Sequence, residues 1–156
     1  KTFGEAFYKA VLGSNERLPG KPVAGEIKRA FLSVRDSDKA ALPEIASKLQ
    51  ALGFHLVATG GTHRVLKEHG IACERVNKVT EGRPHIVDRL KNGEIALIIN
   101  TTEGKQAQQD SFSIRRRALQ GKVYYTTTLS GADAVCQAVG IQLPMDVYRL
   151  QDLHKA

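Results

Sequence analysis

The chain has 156 residues, of which 42% are hydrophobic and 25% charged; at about 150 residues per domain this is one soluble globular unit, neither disordered nor transmembrane. Lysine and arginine outnumber aspartate and glutamate 23 to 16, and the net charge of +7 favours anionic partners, with the phosphates of nucleotides or nucleic acids first in line. The longest strongly apolar stretch, Ile95 to Ile99, is far shorter than the roughly 20 residues a membrane helix needs.

The chain starts at Lys1 with no secretory pattern, so it reads as a piece of something longer. Cys73 and Cys136 lie far apart in apolar surroundings, which points to neither a disulfide nor a metal site. A reducing cytoplasm is the expected compartment.

Thr2 to Leu12 reads as a helix: Thr2 and Glu5 stand in capping-box relation, and Phe3, Phe7, Ala10 and Val11 recur at helical spacing. Gly13 stops it, and the Gly-, Pro- and Ser-rich stretch to Gly25 reads as a linker. Residues 1–27 are therefore expected to lead into a main domain at 28–156. From there short apolar runs alternate with helical patterns. The strands expected are Ala30–Val34, Phe54–Ala58, Cys73–Val76, Ile95–Ile99 and Val123–Tyr125. Helices are expected at 39–52, 62–69, 85–92, 111–119 and 130–139, with Gly53, Gly70, Gly93, Gly121 and Gly140 closing them. Strand, helix, glycine, strand is the signature of right-handed βαβ units. The predicted fold is α/β, a three-layer sandwich around a five-stranded parallel sheet.

In such a sheet ligands sit beyond the carboxyl ends of the strands, beside helix N-termini. The residues in those places are rich in hydroxyls, amides and lysines. Thr59-Gly60-Gly61-Thr62, after the second strand, is the sharpest local feature. Two glycines let the backbone approach a bound group, two hydroxyls donate, and the following helix offers free N–H groups. The tetrapeptide reads equally as a plain strand-to-helix turn with Thr62 as N-cap. Lys39 and Lys78, each just beyond a strand end, favour a phosphate cage.

There is no P-loop and no Gly-x-Gly-x-x-Gly after any strand, so a triphosphate hydrolase or a dinucleotide enzyme is unsupported. His63, His69 and Cys73 match no zinc spacing. Arg115-Arg116-Arg117 is read as a solvated helix face in preference to a nucleic-acid contact, since few aromatic residues are free to stack on bases.

At Leu32-Ser33-Val34-Arg35, Asp38-Lys39, Ala58-Thr59-Gly60-Gly61-Thr62, Val76-Asn77-Lys78-Val79, Glu81-Gly82-Arg83-Pro84-His85 and Ile98-Ile99-Asn100-Thr101-Thr102 the chain closely resembles a known family. This is the C-terminal regulatory domain of the carbamoyl phosphate synthetase large subunit. The resemblance runs from Phe3 to the tail, and the fold it implies is that of methylglyoxal synthase.

The resemblance implies regulation without chemistry in this domain. UMP is the implied inhibitor and IMP the implied activator at one site, with ornithine activating where the domain meets the rest of the subunit. By position, the phosphate cage falls on Lys39, Thr59, Thr62 and Lys78, and the nucleoside side on Asn100 and Thr102. Gly60, Gly61 and Thr101 complete the expected site. The ornithine contacts fall on Tyr125, Thr126 and Thr127, although the family's bacterial pattern has an aspartate where this chain has Thr126.

Vertebrate ammonia-dependent relatives bind N-acetylglutamate in a pocket lined by Trp. This chain has no Trp and keeps Lys78, so a bacterial, nucleotide-responsive type is expected. The implied parent is a glutamine- and ATP-dependent ligase of pyrimidine and arginine biosynthesis that uses Mg or Mn and K. It works with a glutamine amidotransferase small subunit. No cofactor, metal, membrane or nucleic-acid partner is expected of this domain. Two other functions stand beside this one: a phosphate lyase like methylglyoxal synthase, and nucleic-acid binding from charge alone. The lyase carries a catalytic carboxylate after paired glycines, where this chain reads Glu81-Gly82-Arg83-Pro84-His85 with no aspartate.

Overall fold

The computed structural model describes residues 2–141; the remainder of the expected 28–156 domain, 142–156, lies outside the described residues. Five strands, β1 (Arg29–Ser33), β2 (His55–Ala58), β3 (Glu74–Arg75), β4 (Ile95–Asn100) and β5 (Tyr124–Thr126), form one sheet in the order β3-β2-β1-β4-β5. Every pairing is parallel. The helices are α1 (Phe3–Gly13), α2 (Leu42–Ala51), α3 (Gly60–Glu68), α4 (Ile86–Lys91), α5 (Lys105–Gln120) and α6 (Leu129–Val139). This is the predicted α/β architecture.

Strand alternation divides the core into two layers. Ala30, Leu32, Leu56, Ala58, Leu97 and Ile99 pack against α2, α3 and α6. Phe31, Val57 and Ile98 point the other way, against Ile86 and Leu90 of α4 and Ile114 and Ala118 of α5. The central strands are buried on both faces, which explains why they read as continuous apolar runs. The strand order reverses direction between β1 and β4, so the loops leaving them diverge to opposite faces and open a crevice at their carboxyl ends.

Beyond one-residue shifts elsewhere, four elements differ from expectation, each for a local reason. α5 begins at Lys105 rather than 111, because Lys105 to Asp110 has no apolar repeat yet consists largely of good helix formers. α3 begins at Gly60, so Thr59 and not Thr62 occupies the N-cap position, with extended backbone at φ −74°, ψ 161°. α2 is preceded by a separate 3₁₀ turn, Asp36–Asp38, so the expected helix start at 39 moves to Leu42. β3 is two residues long and exposed at the sheet edge, although the Val76 N–H still donates to the Ala58 carbonyl at 2.9 Å. Residues of an edge strand alternate little in burial, so hydropathy sees them poorly.

The capping box of α1 forms as read: Glu5 N–H donates to Thr2 Oγ1 at 3.3 Å and Thr2 N–H to Glu5 Oε2 at 3.0 Å. α1 packs along α6. At Gly4 a Cβ would lie 2.9 Å from the Gln137 carbonyl oxygen, so the two backbones approach closely. Phe7 of α1 and Leu18 beyond it lie against the same core as α2 and α6.

A second close approach tests the α6 side. A Cβ on Gly131 would sit 2.3 Å from Thr126 Oγ1. Gly131→Ala therefore forces β5 and α6 apart and is expected to cost about 1–3 kcal/mol, the usual penalty of overpacking. Urea unfolding of the variant measures it, and an unchanged midpoint would contradict this packing.

Asp88 closes the start of α4. It accepts the His85 N–H at 2.9 Å and pairs with Arg83. The Arg83 hydrogen bond first, then the His85 N–H, holds the Asp88 carboxyl down from 3.8 to about 2. A carboxyl depressed on folding contributes stability above its unfolded value and loses it as pH falls through its folded value. The contribution of Asp88 is thus expected to vanish between about pH 4 and pH 2, and Asp88→Asn is expected to flatten that part of the acid unfolding profile.

Candidate functional site

The carboxyl ends of β1, β2 and β4, with the loop after β3, surround a cavity of about 370 Å³. Of the nine residues expected there, Lys39, Thr59, Gly61, Thr62, Lys78, Asn100, Thr101 and Thr102 line it. Gly60 does not. It faces the other side of the turn, toward a smaller recess shared with His63, Arg64, Lys67 and Arg75. A Cβ on Gly60 would meet the Arg75 guanidinium at 3.4 Å, whereas one on Gly61 would lie 3.0 Å from Lys39 Nζ. The second glycine of the pair therefore makes room for the lysine.

The hydroxyls hold the crevice together as well as line it. Thr62 Oγ1 accepts the Val34 N–H and Thr101 Oγ1 accepts the Arg35 N–H, both at 3.0 Å. The backbone leaving β1 is thereby pinned from α3 on one side and β4 on the other. Thr59 Oγ1 donates to Ser33 Oγ at 3.0 Å, which leaves the Ser33 proton free to donate into the cavity. Thr59 and Thr62 are 3% and 2% exposed, so each is placed by packing rather than by solvent. Asn100, 3% exposed, donates from Nδ2 to Ser111 Oγ at 2.9 Å and to the Tyr125 hydroxyl at 2.6 Å.

Charge divides the cavity. Lys39, seated over Gly61 in the N-terminal turn of α3, and Lys78, in the loop after β3, line the same cavity, and the free N–H groups and dipole of α3 add to the positive potential there. Glu103 and Asp110 stand at the α5 side. Asp36, in the turn after β1, pairs with Lys39, and that ammonium, with Lys78 behind it, holds the Asp36 carboxyl below the usual range. The arrangement can take an anion at one end and hydrogen-bond donors at the other.

Sequence reasoning did not select Ser33, Asp110 or Ser111. Ser33 is the last residue of a strand whose three buried members are apolar. Asp110 lies in the early part of α5 that the hydropathy pattern misses, and Ser111 is the first residue of the helix that the pattern does predict. A helix that begins early brings its first turns over the strand ends, and that start is written in propensity rather than in periodicity.

Tyr125 and Thr127 line a second cavity, of about 600 Å³, beside β5, together with Arg17, Arg115 and Tyr124. The Arg115 guanidinium lies 5.2 Å from the Tyr125 ring centroid. Thr126 points to the opposite face of β5: it is 8% exposed, lies against Gly131 of α6 and donates to the Thr128 carbonyl at 3.4 Å. The structure thus separates Thr126 from the other two residues of the expected ornithine stretch.

Glu81 does not line the main cavity; it lies 4.0 Å from Arg75 on the outer side of the loop after β3. Burial pushes the thiols of Cys73 and Cys136 up to about 12 and about 11, so neither is a reactive thiolate. Among the described residues no helix is long and apolar enough to cross a membrane.

Comparison with known proteins places this geometry. The chain is 53% identical over 153 residues to the carbamoyl phosphate synthase large chain of Pseudomonas putida, covering 98% of this chain and 14% of that protein. It is 54% identical over 153 residues to that of Pseudomonas aeruginosa, with the same coverage of 98% and 14%. It is 51% identical over 155 residues to that of Pasteurella multocida, covering 99% of this chain and 14% of the relative. The chain thus spans about one seventh of the length of the curated relatives it matches. The sequence model of the MGS-like domain matches residues 41–127, from the start of α2 to the end of β5, which includes the Gly-Thr turn, Lys78 and Asn100; the chain belongs to the MGS-like domain family.

Proposed function

We propose that the chain is the effector-binding part of a carbamoyl phosphate synthase large chain, and that its main cavity holds a nucleoside monophosphate. The observation that carries this reading is Lys39 seated over Gly61 in the N-terminal turn of α3, with Lys78 lining the same cavity over a floor of buried hydroxyls. A phosphate there receives charge-assisted hydrogen bonds from two ammonium groups and from backbone N–H donors. The nucleoside then extends toward Asn100, Thr102 and the acidic side, where Glu103 and Asp110 accept from its hydroxyls.

UMP acts as the inhibitor and IMP as an activator at this one cavity. Each effector prefers one of two states of the whole protein and shifts the equilibrium by its difference in affinity. The parent is a cytoplasmic ligase that uses glutamine and ATP, with Mg or Mn and K in its catalytic portions and a glutamine amidotransferase small subunit as partner. Calorimetric titration of this chain with UMP, IMP and ornithine tests the reading. Saturable binding of UMP and competition by IMP are expected. No heat from either nucleotide would refute it.

Ornithine belongs to the second cavity, where Tyr125 and Thr127 supply polar contacts and the remaining acidic partners come from the rest of the large chain. No measurable ornithine binding to this chain alone is expected. In the full-length protein, Thr126→Asp is expected to lower the ornithine concentration for half-maximal activation. Because Thr126 faces α6, an aspartate there acts only if it reaches round the end of β5, and an unchanged or higher concentration would refute the assignment.

A lyase function is not favoured. Phosphate elimination needs a base placed against the carbon acid, and geometry precedes pKa in naming one; Glu81, the carboxylate in the loop where the lyase carries its own, lies outside the cavity, and the carboxylates inside it stand elsewhere, at Asp36, Glu103 and Asp110. No methylglyoxal is expected from dihydroxyacetone phosphate, and turnover abolished by Glu81→Gln would overturn this.

A further inference from the structure

Lys39 is held by a carboxylate of its own turn. The 3₁₀ turn Asp36–Asp38 is fixed at its start by Arg35, whose Nε donates to Asp38 Oδ2 at 2.9 Å, and at its end by Lys39 N–H, which donates to the Asp36 carbonyl at 3.2 Å. This geometry turns the Asp36 side chain back onto the Lys39 ammonium, with a separation of 2.5 Å. Asp36 also lines the cavity, on the side where both lysines stand, although its side chain is 93% exposed. Lys39 is less free to move: its side chain is 27% exposed and its Nζ is seated close over Gly61. The pair is therefore a seated cation with a solvated anion.

We propose that Asp36 is a built-in competitor for the phosphate, occupying Lys39 when the cavity is empty and swinging into solvent when an anion binds. This rests on the phosphate site proposed above and adds to it the residue that sets the affinity threshold. An exposed carboxylate is the right kind of competitor, since such pairs are individually weak and release at little cost. A phosphate exceeds it because it engages Lys39, Lys78 and the α3 N–H groups together, whereas Asp36 is bonded to Lys39 alone.

The test uses inorganic phosphate as probe and this chain as it stands, whose two core layers are built from its own residues. Calorimetric titration compares the parent sequence, Asp36→Asn, Lys39→Ala and the double variant. Asp36→Asn is expected to tighten phosphate roughly threefold to fivefold, the scale of the stronger exposed ion pairs. In the Lys39→Ala background the same substitution is expected to give less than about a twofold gain, because the competition runs through that ammonium. Asp36→Glu, which keeps the charge, is expected to stay near the parent affinity.

No tightening by Asp36→Asn, or an equal gain with and without Lys39, overturns the proposal while leaving the phosphate site intact. If Lys39→Ala itself leaves phosphate binding unchanged, the site and the competitor fall together. Urea midpoints close to the parent value for all four proteins establish that affinity, not folding, is being read.

Discussion

Replacing Lys39 or Lys78 by alanine is expected to weaken UMP binding to this chain about tenfold to a hundredfold. On the proposed reading each lysine gives the phosphate one hydrogen bond to a charged group, worth about 1.5–3 kcal/mol, and about 1.4 kcal/mol is a factor of ten in affinity. The two act from different strand ends and pass through different loops, so their losses should add in part, with shared electrostatics making the double variant somewhat less than additive. Uridine, which lacks the phosphate, is expected to bind far more weakly than UMP and to be indifferent to both substitutions. Gly61→Ala should imitate a partial loss of Lys39, since the new methyl would stand 3.0 Å from Nζ and push it off the site. Calorimetric titration of these proteins with UMP and with uridine decides the matter. Unchanged UMP affinity in both lysine variants would remove the cavity from the proposal.

Most of this site is legible in the sequence because it is built at the ends of strands, and strand ends are marked twice. The apolar runs of β1, β2 and β4 stop sharply at polar residues, and the next helix begins within a few positions. Thr59, Gly61, Thr62, Asn100, Thr101 and Thr102 could therefore be named by position alone, and the structure gathers them around one cavity. What the sequence could not convey is direction. Gly60 and Gly61 are adjacent and alike in composition, but the first helical turn of α3 sends them to opposite sides, one under Arg75 and one under Lys39. Tyr125 and Thr126 are likewise adjacent, and the period of two in β5 sends the tyrosine to Asn100 and the threonine to α6.

Hydrogen bonding within the site was equally invisible. A threonine read as a ligand contact turns out to hold the chain. Thr62 and Thr101 each spend a lone pair on the backbone leaving β1, at Val34 and Arg35. Their loss should disturb the position of Lys39 as well as any contact of their own. The two roles are compatible, because a hydroxyl that accepts from the backbone keeps its proton for a phosphate oxygen.

Phe31→Ala is expected to be the most damaging single substitution in the sheet, and Phe112→Ala almost silent, although both remove the same ring. Phe31 is 0% exposed in the central strand β1, packed with Val57, Ile98, Ile86 and Ile114 between the sheet and the layer of α4 and α5. Removing it leaves a void bounded by four elements that cannot all collapse at once, and a buried Phe→Ala costs about 3–5 kcal/mol. A domain of this size is stable by only about 5–15 kcal/mol, so the variant should lose a large share of its stability or fail to fold. The cost falls on the strand whose continuation carries Ser33, Asp36 and Lys39, so UMP binding should weaken with it wherever unfolding competes with binding. Phe112 lies on the outer side of α5 and is 66% exposed. Its removal is expected to change stability by no more than about 0.5 kcal/mol, as for surface substitutions generally. Urea unfolding of the two variants compares them directly. A loss below about 1 kcal/mol for Phe31→Ala would mean that the α4 and α5 layer repacks freely onto the sheet, against the close-packed core expected of a folded domain.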